Sequence, residues 1–152
     1  MLNFNWENWI YIVSISCQLA AAFLLVGNID VSQKGINKEF CKVNRTIAFE
    51  INGKLADDSF YRDTIRNSWI NFFAYIYLGI GYFSNIFGKT HDDTKLMLCF
   101  IVILVTALII FTHKFAKYKA KKAKEFTLDD VIKEGAVAWI VLESLEDDGI
   151  ES

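Results

Sequence analysis

Between Lys95 and His113 lie seventeen residues, LMLCFIVILVTALIIFT, without one charged side chain. A core helix of a soluble protein normally keeps a polar edge, and the run Leu96–Thr112 has none. A second run, Trp9–Gly27, reads WIYIVSISCQLAAAFLLVG and also lacks Asp, Glu, Lys and Arg. At about 1.5 Å per helical residue it spans roughly 28 Å, close to the ~30 Å hydrocarbon thickness of a bilayer. Its leading segment, MLNFNWENW, carries Glu7 and no basic residue. A secretory leader begins basic, so the run reads as a retained span.

The block Ser68–Gly88, SWINFFAYIYLGIGYFSNIFG, is uncharged and long enough, but it holds Asn71, Asn85 and tyrosines at 75, 77 and 82. Two readings stand side by side. Tyrosine and tryptophan favour the headgroup level, which suits an interfacial or re-entrant helix. Backbone amides inside a bilayer must be satisfied locally, which suits one spanning helix. The charge distribution favours the span. Lys plus Arg number zero before Trp9, seven between the first two blocks, two from Lys89 to Lys95 and seven after Thr112. That alternation obeys the positive-inside rule for three spans.

The chain thus reads as an all-α integral membrane protein with three transmembrane helices, N-terminus out and C-terminus in. The expected segments are an outer N-terminus (1–8), a first span (9–27), a cytoplasmic loop (28–67), a second span (68–88), an outer turn (89–95) and a third span (96–112). A basic juxtamembrane stretch (113–126) and an acidic amphipathic tail helix (127–152) follow. Trp6 and Trp9 would anchor the outer membrane edge and Trp69 the inner one. The expected location is a membrane, namely the inner (plasma) membrane of a bacterium. The lack of proline and the many Asn, Lys and Ile residues suit an AT-rich bacterium or its phage.

The loop of about 40 residues exceeds an ordinary connection of ~4–6 residues, so structure is expected in it. Ile47, Phe49 and Ile51 alternate with Ala48 and Glu50, and Asn52-Gly53 follows. This is a hairpin signal with Lys54-Leu55-Ala56 as return strand. Asp57-Asp58-Ser59 supplies a cap for a helix through Phe60, Ile65 and Trp69 into the second block. Asn44-Arg45-Thr46 matches a glycosylation pattern, but on the inner side it has no such role.

The tail changes character at Glu125. Lys114, Lys117, Lys119, Lys121, Lys122 and Lys124 are six cations with no acid among them, and nine acids follow against Lys133 alone. The lysines would continue the third helix and meet anionic headgroups; topology control alone also accounts for them. Thr127 and Asp130 form an acidic variant of a capping box. Beyond them Leu128, Val131, Ile132, Trp139, Leu142 and Leu145 share a helical face. The run AVAWIVL is apolar nearly all round, so this segment must pack on the loop, on another subunit or on a partner.

Catalytic and ligand motifs are missing: no CxxC, HExxH, GxSxG, Walker or dinucleotide-binding pattern occurs. Cys17, Cys41 and Cys99 fit no zinc spacing. His91 with Asp92 and Asp93 is better explained as a solvated turn than as a cation site. No catalytic residue, metal or cofactor is expected, and the net charge of −2 gives no case for nucleic acid. The spans lack the charged relay that proton-coupled transporters need.

The spans do offer polar and small seams. Ser14, Gln18 and their neighbours line one side of the first block. Asn71, Ala74, Leu78, Gly81 and Asn85 recur at spacings of three and four in the second. Such seams serve helix packing or, in an oligomer, a wetted pore lining. Three functions follow. One is a small homo-oligomeric protein that forms or gates a pore, as a holin-like or toxin-type effector does. Another is a membrane anchor or adaptor recruiting a cytoplasmic partner through the loop and tail. The third is an accessory subunit of a membrane enzyme or transporter.

Overall fold

The computed structural model describes residues 5–25, 30–44, 46–50, 53–89, 94–134 and 137–141, and within them the chain is mostly helical. The elements are α1 (Trp6–Leu24), α2 (Gln33–Val43), β1 (Thr46–Glu50), α3 (Asp58–Asn85), α4 (Thr94–Lys121), α5 (Leu128–Glu134) and β2 (Val137–Val141). Two helical stretches, Trp6–Leu24 and Lys95–Lys121, are long and apolar enough to cross a membrane. In the second, only 22% of the most apolar window is buried within the protein, so most of its apolar surface faces outward.

Helix ends follow from local chemistry. Ser32 caps α2 by accepting the Gly35 N–H at 3.0 Å. Asp57 caps α3, its Oδ1 accepting from the Ser59 N–H at 3.0 Å. At the start of α5, Asp130 Oδ2 accepts from the N–H of Thr127 at 3.1 Å and from its hydroxyl at 2.9 Å. These bonds satisfy amide donors that a helix start leaves without intrahelical partners, or lock the residue that precedes them.

The helices α1, α3 and α4 pack into one bundle around Ile12, Ala20, Ala21, Ala74, Tyr77, Met97 and Ile101. At one end Asn8 Nδ2 donates to the Lys89 carbonyl at 3.0 Å, and the Lys89 N–H donates to the Glu7 carbonyl at 3.1 Å. These bonds tie the start of α1 to the segment after α3, so the two helices run antiparallel. At the other end a second core forms from Ile36, Phe40, Ile47, Phe49, Tyr61, Ile65, Phe126 and Val131. The loop and the tail therefore fold together against the projecting ends of α3 and α4.

The tail departs from expectation. Instead of one helix from Leu128 towards Leu145, α5 ends at Glu134 and β2 pairs with β1 in parallel, Thr46 opposite Val137 and Glu50 opposite Val141. Val137, Trp139, Ile140 and Val141 are β-branched or aromatic, which favours a strand once a partner strand is at hand. The backbone amides of this run find partners on β1. On the opposite edge of β1, Phe49 bridges antiparallel to Leu55. The Glu50 N–H donates to the Lys54 carbonyl at 2.8 Å, and the Ala56 N–H donates to the Ala48 carbonyl at 3.0 Å. Gly53 supports this turn with φ of 78°, which only glycine adopts freely.

Candidate functional site

Two regions hold the residues that the sequence singles out. The first is the contact of α1 with α3. Ser14 is fully buried and its hydroxyl donates to the Gly81 carbonyl at 2.7 Å. A Cβ on Gly81 would lie 2.7 Å from Gln18 Cγ and 3.0 Å from the Ser14 carbonyl oxygen. One on Gly88 would lie 2.8 Å from the Tyr11 Cα. Small residues thus let the two backbones approach, which is how helices pack without a hydrophobic driving force. Ala74 and Asn71 are buried on the same helix, Leu78 is partly buried and Asn85 is exposed at its end. Gln18 Nε2 is buried and makes no hydrogen bond.

Further polar links join these helices, and the sequence pattern did not single them out. Tyr77 and Thr112 share a hydrogen bond of 2.9 Å between hydroxyls, and the Thr112 hydroxyl also lies 2.8 Å from the Leu108 carbonyl. Ser16 donates to the Ile12 carbonyl at 2.6 Å, with the Ile101 carbonyl 3.4 Å away. Hydroxyls at these positions look like ordinary tolerated polar residues in a helix, so only the neighbouring helix reveals their role.

The second region lies where the bundle meets the loop-and-tail core. Lys119 Nζ sits 5.0 Å from the centre of the Trp69 ring and 5.6 Å from that of Phe115. Lys122 Nζ lies 4.7 Å from the Tyr118 ring centre. Lys114, Lys117, Lys121 and Lys124 are exposed. Arg62 pairs with Asp58 and donates from Nη1 to the carbonyls of Ala120 and Lys121 at 3.2 and 3.3 Å. It thereby places a cation on the negative end of α4.

Of the expected docking residues, Val131 lies wholly inside the second core and Leu128 packs against it, whereas Ile132 is 68% exposed. Trp139 lies opposite Ala48 in the strand pair. Leu142 and Leu145 fall outside the described residues, as do His91, Asp92 and Asp93. The first part of the expected tail helix stands as α5, while strand β2 takes the place of its continuation and uses its backbone to pair with β1.

The second core has its own polar centre. Gln33 Nε2 donates to Tyr61 Oη at 2.6 Å and to Asn37 Oδ1 at 3.1 Å, while the Tyr61 hydroxyl donates to Asn37 Oδ1 at 2.8 Å. Burial pushes the Tyr61 phenol up to about 12, helped by the Asp130 and Asp58 charges and opposed by the Gln33 bond. Burial, with the charges of Glu134 and Asp130, also raises the Cys41 thiol above its ordinary value. Both groups stay protonated at neutral pH, which suits a structural role. Phe126, packed among Phe40, Phe49 and Tyr61 at centroid distances of 4.9 to 6.4 Å, completes the cluster.

Comparison with protein-family models, with curated proteins and with solved structures finds no match for this chain.

Proposed function

We propose that the protein is a three-span, non-catalytic membrane anchor that displays a folded loop-and-tail domain to a cytoplasmic protein partner. In this reading the N-terminus is outside and the C-terminus inside the plasma membrane of a bacterium. Helices α1, α3 and α4 cross the bilayer, and the protein works as a homo-oligomer.

The reading rests on how the polar and small residues of the helices are used. Ser14, Asn71, Ala74 and Gly81 are buried within one protomer. The exposed positions of α4 between Leu98 and Phe111 are apolar apart from Cys99 and Thr106, and the Thr106 hydroxyl donates back to the Val102 carbonyl at 2.8 Å. Such a surface suits lipid contact. Of the seam on α3 only Asn85, at the helix end, is exposed, which leaves little polar surface to line a water path and favours the anchor over the pore.

Reporter fusions test the topology. Fusions within residues 28–66 and after Thr127 should report cytoplasm, and one at His91 should report the outside. An outside signal from the long loop refutes the anchor as described.

One observation favours the pore-forming effector as a second reading. The Gln18 Nε2, which makes no hydrogen bond within the protein, would gain a partner in an oligomer or a wetted channel. Planar-bilayer recording separates the two. Leu78→Asn should produce leak currents in a pore, and no current in an anchor.

A further inference from the structure

We infer that the cleft between the ends of α1, α3 and α4 binds the phosphate group of an anionic phospholipid. The cleft has a volume of about 450 Å³ and is bordered by residues of all three helices. Arg66 and Asn67 come from α3, His113 and Lys117 from α4, and Phe23 and Leu24 from the end of α1. The inference deepens the three-span reading and rests on it, because that reading puts this end of the bundle at the inner leaflet, where anionic lipids are met.

The arrangement has the polarity of an amphiphile. Arg66 and Lys117 lie one helical turn nearer the loop-and-tail core than Ile70 and His113 do, so the firm cations stand at the shallow end. Ile70, like Leu24, borders the cleft and is buried. Phe23, 71% exposed, extends the apolar border outward along α1, where an acyl chain would lie. His113 and Lys117 are four residues apart on α4 and so share one face.

Arg66 is held by Asp63, whose Oδ1 lies 3.1 Å from Nη1. A guanidinium has five donors in a planar fork, so this pair orients it without exhausting it. Arg and Lys together suit a phosphate, the first by its fork and the second as a point charge. Basic pockets between helices on the cytoplasmic side of a membrane are a known form of headgroup site. A free nucleotide would instead place polar groups against Phe23, Leu24 and Ile70, which penalises it.

The inference differs from general attraction of the lysine-rich stretch to a charged surface, since it depends on position. Purified full-length protein in neutral detergent, titrated with phosphatidylglycerol and with phosphatidylcholine under native mass spectrometry, provides the test. Phosphatidylglycerol should bind preferentially. Arg66→Gln and Lys117→Gln should each weaken its binding about fivefold, the factor expected for one cation near a headgroup. Arg66→Lys should retain most of the affinity, and Lys124→Gln, outside the cleft, should leave it unchanged. Thermal unfolding of each variant checks that the fold is kept.

Equal losses for Lys124→Gln and Lys117→Gln would overturn the site in favour of diffuse attraction. Equal binding of the two lipids would overturn the anionic preference. Displacement of the lipid by inorganic phosphate at equal concentration would show a free-anion site and overturn the lipid assignment. An outside location of residues 28–66 would instead sink the topology on which the inference rests, and the reporter fusions read that out independently of lipid binding.

Discussion

Ser14 and Gly81 meet where α1 and α3 come close together, the serine hydroxyl donating to the glycine carbonyl at 2.7 Å. Gly81 has no room for a side chain, whereas a Cβ on Gly79, two residues earlier on the same helix, would touch nothing within 4 Å. The two glycines should therefore respond in opposite ways. Gly81→Ala forces the α1 backbone away and should cost about 1–3 kcal/mol, the usual cost of overpacking. Gly79→Ala should be neutral or stabilise by up to ~1 kcal/mol through helix propensity. Thermal unfolding in detergent, followed by circular dichroism, reads both. Equal destabilisation would refute the packing described for α1 and α3.

Tyr77 and Thr112 provide a second, independent link, this time between α3 and α4. A double-mutant cycle of Tyr77→Phe and Thr112→Val should give a coupling energy of about 0.6 kcal/mol, and not above ~2 kcal/mol. Zero coupling would mean that the 2.9 Å contact does not stabilise the bundle.

Phe126 joins the tail to the loop. It is 2% exposed, and its ring lies 5.1 Å from that of Phe40 and 4.9 Å from that of Tyr61. Phe126→Ala should destabilise the second core by about 3–5 kcal/mol. Limited proteolysis should then cut within residues 121–141 while the helices of the bundle stay protected. An unchanged digestion pattern would contradict the packing of the tail on the loop.

Alkali should loosen the same core. The Tyr61 phenol has its ordinary value of 10.0 in the unfolded chain and about 12 in the fold. The folded state thus holds the proton more tightly. The corresponding stability is complete below pH 10 and is lost as pH rises from 10 to 12. Urea unfolding followed by the fluorescence of a probe on the second core should show a falling midpoint over that interval, and Tyr61→Phe should flatten the fall. A midpoint as pH-dependent in Tyr61→Phe as in the parent would assign the effect to other groups.

The uncharged runs around Trp9 and Leu96 made α1 and α4 legible, because an unbroken apolar run of seventeen or more residues is longer than an ordinary strand and reads as a helix. The Ile47–Phe49 alternation and Asn52-Gly53 pointed to the turn closed by Gly53, since that turn is specified locally. The helix α2 was missed, although Ser32 followed by Ile36, Phe40 and Cys41 at helical spacing would have betrayed it. The strand β2 could not be found in the same way. A short run that is apolar all round fits a strand and a helix equally, and its partner β1 lies some ninety residues away. The amphiphilic cleft was legible only as scattered lysines, because Arg66, Phe23 and His113 come from three helices whose alignment no local pattern encodes.

The parallel pairing of β1 with β2 has a bearing on how the protein is made. Residues 46–50 emerge from the ribosome well before residues 137–141, and α3 and α4 both lie between them in the chain. The first strand therefore has no partner strand until α3 and α4 have been made. In the three-span reading, a chain in which one of these two helices failed to cross would carry its C-terminus to the other side of the membrane from β1 and leave the Ile47–Phe49 strand without its mate. On that reading the parallel pair forms only when β1 and β2 end on the same side of the membrane, so an even number of crossings between them is built into the fold.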